Sequence, residues 1–105
     1  MEALHFTFSG QSLSNTSHKP VLVGVVGSGN LEVLIEPATD ASTCIVEIIT
    51  AAVGFGAIWE AVIGDFVSRR KPAGIRVSIN DVGATPAVVS LRLDQAWDSY
   101  REGQP

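Results

Sequence analysis

The stretch Val21–Glu36, VLVGVVGSGNLEVLIE, decides how the rest of the chain is read. Two apolar runs of β character, 21–26 and 31–36, are joined by Gly27-Ser28-Gly29-Asn30. The first run is continuous, as in a strand covered on both faces. The second alternates, with Leu31, Val33 and Ile35 opposite Glu32, Leu34 and Glu36. Together they predict a β-hairpin. Glycine on both sides of a hydroxyl permits the positive-φ conformations of short turns and leaves no Cβ to obstruct a large molecule. Ser28 is therefore a turn residue, a nucleophile or an attachment point.

The elements flanking this pair follow from periodicity. Residues 3–8 alternate as a short first strand, and 9–20, SGQSLSNTSHKP, read as a polar loop. Residues 44–50 predict a further strand, with Cys44, Val46 and Ile48 on one face. Phe55, Ile58, Trp59, Val62, Ile63, Phe66 and Val67 recur at helical spacing and predict one long amphipathic helix, ended by Pro72 and Gly74. Asp65 and Arg69 sit i, i+4 on its polar side. Ile75, Val77 and Ile79 alternate as a strand, as do Val89, Leu91 and Leu93. Asp94 then caps a short closing helix, 95–101, and residues 102–105 read as a frayed tail. The expected architecture is α+β, a single-domain sandwich over 1–105. An antiparallel or mixed sheet is covered by one long helix, in the order β-β-β-α-β-β-α.

Bulk properties exclude several function classes. The chain of 105 residues is 46% hydrophobic and 17% charged, with a net charge of −4. Its mean hydropathy is +0.28 and its isoelectric point about 4.9. A chain of this length buries roughly two-thirds of its extended surface, enough for one core. The acidic balance, with Arg69-Arg70-Lys71 as the only basic cluster, argues against nucleic acid. No apolar run approaches the length of a membrane span. MEALHFTF lacks a basic n-region and reads as mature sequence, so a soluble cytoplasmic protein is expected. One cysteine, Cys44, rules out an internal disulfide, and His5 and His18 have no metal-ligand spacing.

Candidate motifs can be weighed in turn. A nucleophile elbow needs Gly-x-Ser-x-Gly between a strand and a helix. Here Val26 and Asn30 flank the Gly-Ser-Gly, a strand follows, and no histidine is placed as base. A dinucleotide fingerprint fails for want of a helix after Gly29. Ser12, in Gln11-Ser12-Leu13, opens no helix, and no lysine sits at the hairpin tip for biotin or lipoate. Asn15-Thr16-Ser17 matches a glycosylation acceptor by chance. Trp59 belongs to the core. Trp97 and Tyr100, three apart, read as core or as partner-facing. The solvated end of a helix accounts for Arg69, Arg70 and Lys71, where cations complement the dipole. Local chemistry alone leaves Gly27-Ser28-Gly29 a hairpin turn.

The segments GVVGSGNLEVL and INDVGATPAVVSLRLDQAW resemble the malonate decarboxylase acyl carrier protein, subunit delta. They are similar more distantly to the citrate lyase acyl carrier, the gamma subunit. The resemblance runs from about Val21 to Tyr100, and its most specific parts are the Gly-Ser-Gly hairpin and Asp81-x-Gly83-Ala84-Thr85-Pro86. It implies an α+β carrier unrelated to the four-helix acyl carriers, not itself an enzyme. By the same resemblance Ser28, flanked by Gly27 and Gly29, bears 2′-(5″-phosphoribosyl)-3′-dephospho-CoA through a phosphodiester. The implied partners are an acyl (malonyl) transferase, decarboxylase subunits and a prosthetic-group transferase. Asn30 departs from the Asp that usually follows Ser-Gly in this family; asparagine also suits turn geometry. The alternatives are a citrate lyase-type carrier and a non-catalytic scaffold subunit that presents Trp97 and Tyr100.

Overall fold

The computed structural model describes residues 1–9, 21–23, 31–40 and 42–102. Five strands form one mixed sheet: β1 (Glu2–Ser9), β2 (Val21–Val23), β3 (Leu31–Pro37), β4 (Thr43–Thr50) and β5 (Ile75–Asp81). Among the described residues there are also two helices, α1 (Gly56–Arg70) and α2 (Pro86–Arg101). The strand order is β1-β4-β5-β3-β2. The β4–β5 pair is parallel and the other three pairs are antiparallel. The class is the α+β mixed sheet expected, and the described residues form no four-helix bundle.

Alternation on the strands decides which face is covered. Leu31, Val33 and Ile35 of β3 share a face with Ile75, Val77 and Ile79 of β5 and with Cys44, Val46 and Ile48 of β4; all are buried. Leu4, Phe6 and Phe8 of the edge strand β1 extend this layer and are half-buried. Helix α1 meets β1 and α2, while α2 lies over β3 and β2. The opposite sheet face is polar in the main, with Arg76 paired to Glu47 and Asn80 donating to Glu32 at 3.2 Å.

The sequence reading is corrected at 86–101. Val89, Leu91 and Leu93 do not form a strand, and Asp94 is no cap; both lie inside the 16-residue helix α2. Among the described residues the element order is β-β-β-β-α-β-α: four strands precede α1 where the expected order had three, one follows it where two were expected, and two helices cover the sheet where one was expected. Val89 and Leu93 satisfy a period of two and a period of 3.6 equally. Ala96, Trp97 and Tyr100 extend only the helical set, and all five are buried. Leu91, on the opposite side, is 57% exposed. The start signal is present in the sequence: the Thr85 hydroxyl accepts from Val88 N–H at 3.3 Å, and Pro86 occupies the first turn. Trp97 and Tyr100 stack with ring centroids 6.0 Å apart inside the core.

The stripe on α1 is also narrower than its spacing suggested. Trp59, Ile63 and Phe66 are buried, whereas Phe55 and Ile58 are each 47% exposed. The far end of α1 is tied to α2 by ion pairs. Arg70 meets Asp94 at 3.0 Å and also Asp98, and Arg69 meets Asp65 at 2.8 Å and Asp94 at 3.3 Å. The basic cluster is thus an interhelical clamp, not a free cationic end. Such solvated pairs contribute little apiece, because water screens them. Lys71 closes α1 in the left-handed region at φ 49, its N–H bonding Val67 O.

The two readings of 89–93 make opposite demands on Leu91 and Leu93. Leu93→Ala is expected to destabilise the fold by about 2–5 kcal/mol, and Leu91→Ala by about 0.5 kcal/mol or less, as at ordinary surface positions. Urea unfolding midpoints for the two variants check this. Equal losses would match a strand with both residues inward.

Candidate functional site

The parallel strands β4 and β5 end side by side, with Thr50 opposite Asp81. Both are buried, although polar. A buried carboxylate is costly unless hydrogen-bonded, and Asp81 is well supplied. Its Oδ2 accepts from the Thr50 hydroxyl at 2.9 Å, and its Oδ1 accepts from Gly83 N–H at 3.2 Å and Ala84 N–H at 2.8 Å. The Asp81-x-Gly83-Ala84-Thr85-Pro86 motif is therefore a carboxylate-organised turn that delivers the chain into α2. Gly83 sits at φ +115, where a side chain would be strained. Thr50 in turn accepts from Ala52 N–H at 3.2 Å, starting the connection to α1.

Above this pair lies an apolar groove of ≈ 230 Å³, walled by Phe55, Ile58 and Trp59 of the α1 end and by Ala84, Pro86 and Val89 of the α2 end. Thr50 and Asp81 are its polar members. Sequence reasoning singled out the Asp81 turn but missed Thr50, 31 residues away, because no local pattern links the two.

The third strand at this end is β3. Leu31, its first residue, pairs with Asp81 on the other side of β5. Strand β2 pairs antiparallel with β3, Val21 facing Ile35 and Val23 facing Val33. Ser28 therefore lies midway in sequence between the paired residues. Ser28, Gly27, Gly29 and Asn30 themselves lie outside the described residues, as do His18 and 24–26. What the structure establishes is the antiparallel pairing on either side of them and the end of the sheet at which the chain re-enters.

The described residues hold no cluster of three or more His, Cys, Asp or Glu side chains suited to a metal ion. None of the described helices is long and apolar enough to cross a membrane. Cys44 is fully buried in β4, and burial pushes its thiol up to about 12 from an ordinary 9.0. It is a small core residue, not a nucleophile, which requires the thiolate.

Among the described residues, a mixed sheet covered on one face by two helices, with an antiparallel strand pair on either side of the Gly-Ser-Gly segment, defines an α+β protein and not a helical bundle. Residues 18–100 match the family of the malonate decarboxylase delta subunit (MdcD), an acyl carrier protein family. The chain is 53% identical over 105 residues to a malonate decarboxylase acyl carrier protein of Stenotrophomonas maltophilia, covering 100% of this chain and 99% of the relative. It is 65% identical over 96 residues to the protein of the same description from Burkholderia cepacia, covering 91% and 87%. Its fold matches a chain in the crystal structure of a Pseudomonas malonate decarboxylase hetero-tetramer in complex with malonate. That match has a TM-score of 0.84 and 34% identity over 95% of this chain and 99% of that one. This protein belongs to the malonate decarboxylase acyl carrier family.

Two outcomes test the geometry of this end of the sheet and its core. Asp81→Ala strips the acceptor from a hydroxyl and two amides and is expected to cost about 2 kcal/mol or more in urea unfolding. Asp81→Asn keeps most of these partners and costs less. For Cys44, the folded thiol keeps its proton up to about pH 12 while the unfolded one releases it near 9.0. The folded state then holds the extra proton, so stability falls as pH rises through that window, by at most about 4 kcal/mol. The decline measured by denaturation between these pH values is expected to be shallower in Cys44→Ala.

Proposed function

We propose that this chain is the non-catalytic carrier of a malonate decarboxylase, bearing acetyl and malonyl thioesters on a phosphoribosyl-dephospho-CoA group joined through a phosphodiester to Ser28. The observation that carries this reading is the antiparallel β2–β3 pairing, whose connection has Ser28 at its sequence midpoint, in a chain of this family. Glycines 27 and 29 leave the hydroxyl without Cβ neighbours, which suits a bulky phosphodiester partner.

Such a group, when bound, supplies a thiol whose thioester carbonyl can take up the electron pair released with CO₂, which the dianion of free malonate cannot do. The chain's own contribution is mechanical. Strands β2 and β3 anchor both ends of the Ser28 connection, β3 is hydrogen-bonded to β5 along its whole length, and the layer beneath is fully buried. A rigid anchor confines the attached group and raises its effective concentration at successive active sites. The partners in this reading are a malonyl (acyl) transferase, decarboxylase subunits and a prosthetic-group transferase, in the cytoplasm. The hetero-tetramer that contains the structural relative supports a multi-subunit setting. The scaffold alternative loses its motive, since Trp97 and Tyr100 are buried. No separate observation favours a citrate lyase-type carrier.

Co-expression with an active prosthetic-group transferase is expected to add one large adduct per chain by intact mass, absent in Ser28→Ala. A wild-type chain that stays unmodified beside an active transferase overturns the assignment.

A further inference from the structure

The surface of this protein has two unlike poles. Strands β4 and β5 both run toward the Thr50–Asp81 end, and α1 and α2 both start there. Among the described residues, the exposed large hydrophobic side chains gather at this end. Val53 (65% exposed) and Phe55 lie in the connection after β4, Ile58 in the first turn of α1, and Val82 (52%) directly after β5. Ile49 is the penultimate residue of β4, and Met1 precedes Glu2, which pairs with Thr50. Leu91, two turns into α2, is the remaining one. Of these side chains, Phe55 and Ile58 line the apolar groove over Thr50 and Asp81.

Charge is divided along the same axis. Arg69, Arg70 and Lys71 at the end of α1, Arg76 at the start of β5 and Arg101 at the end of α2 all lie toward the opposite pole, and Arg92 lies midway along α2. No described lysine or arginine stands at the apolar pole. Its flanks carry Glu2, whose Oε1 accepts from Gly54 N–H at 3.1 Å, Glu32 beside Leu31, and Glu60 on α1. An apolar patch with an acidic margin is the surface of a docking face, since isolated exposed hydrophobics need no explanation but a clustered set does.

We infer that this pole is the face that docks onto another subunit of the decarboxylase, on a partner surface that is apolar at its centre and edged with lysine or arginine. The inference rests on the carrier reading above for the identity of the partner. Charge complementarity selects the basic margin, and the apolar centre is covered by a partner of like character. Leu31 opens β3 at this same pole, beside Asp81, so the chain arriving from Ser28 enters the sheet next to the docked face. Docking there sets the partner beside Leu31, the residue at which the chain re-enters the sheet after the Ser28 connection.

The test uses the full-length, unmodified chain and the purified remaining subunits of the complex, with binding read by titration calorimetry. Phe55→Glu combined with Ile58→Glu is expected to weaken binding at least tenfold, and Arg101→Glu at the far pole to leave it unchanged. The association rate of the wild type is expected to fall as ionic strength rises. Both Phe55 and Ile58 are half exposed, so an unchanged thermal melting curve shows that the double variant is folded; the milder Phe55→Ser serves if it is not. Unchanged binding by the folded pole variant overturns the inference, as does loss of binding in Arg101→Glu. A concentration-dependent dimer of the chain alone, abolished by the pole variant, also overturns it in favour of a second copy as occupant. The adduct on Ser28 plays no part in this measurement. A chain that takes the adduct on Ser28 but docks elsewhere refutes the docking face alone, and a chain that docks here but stays unmodified beside an active transferase refutes the attachment alone.

Discussion

The parallel pairing of β4 with β5 is the constraint from which the rest of this fold follows. Antiparallel neighbours can be joined by a tight turn, but parallel neighbours need a crossover that returns the chain to the end where it began. Here the crossover is α1, and it must lie on a sheet face. The buried side of that crossover is apolar because Trp59, Ile63 and Phe66 meet the layer of Val46, Ile48 and Val77. Parallel strands also finish at the same end. That end gathers two strand termini, two helix beginnings and the first residue of β3, and the structure must resolve their backbone polar groups there.

Asp81 is the device that does so. One carboxylate satisfies a neighbouring hydroxyl and two backbone amides, which lets the sheet stop and α2 begin within a few residues. The groove above it is the space left where two helices diverge from their first turns. The opposite end solves a different problem: Arg69 and Arg70 complement the dipole at the end of α1, and their pairing with Asp94 and Asp98 of α2 ties the two helices together there. The result is a molecule with an apolar pole and a charged pole.

Much of this was legible in the residues. The alternation in 31–36, 44–50 and 75–79 marks three strands and separates their two faces, and the stripe that includes Trp59, Ile63 and Phe66 marks α1. The antiparallel relation of β2 and β3 follows from two β runs around a Gly-Ser-Gly. The stretch 89–93 was ambiguous because two apolar residues four apart satisfy both periods. Thr85 and Pro86 carried the deciding signal, a cap and a first-turn proline. The choice of Ser28 came from resemblance, not from spacing, which leaves a glycine-flanked serine an ordinary turn residue.

The sequence by itself determined which residues of β3, β4 and β5 share a face, because alternation is local and the hydrophobic effect acts on each face without reference to the partner. Only the tertiary structure decided which strands are neighbours. The order β1-β4-β5-β3-β2 brings Thr50 to Asp81 across 31 residues and Leu31 to Asp81 across fifty positions of chain. Hydrogen bonds between strands are the same for any pair, so backbone chemistry carries no address, and the pairing is chosen by how all the faces pack at once. For the same reason the exposed residues Phe55 and Ile58 read as core in one dimension. Their place at the mouth of a groove exists only once two helices have been set side by side.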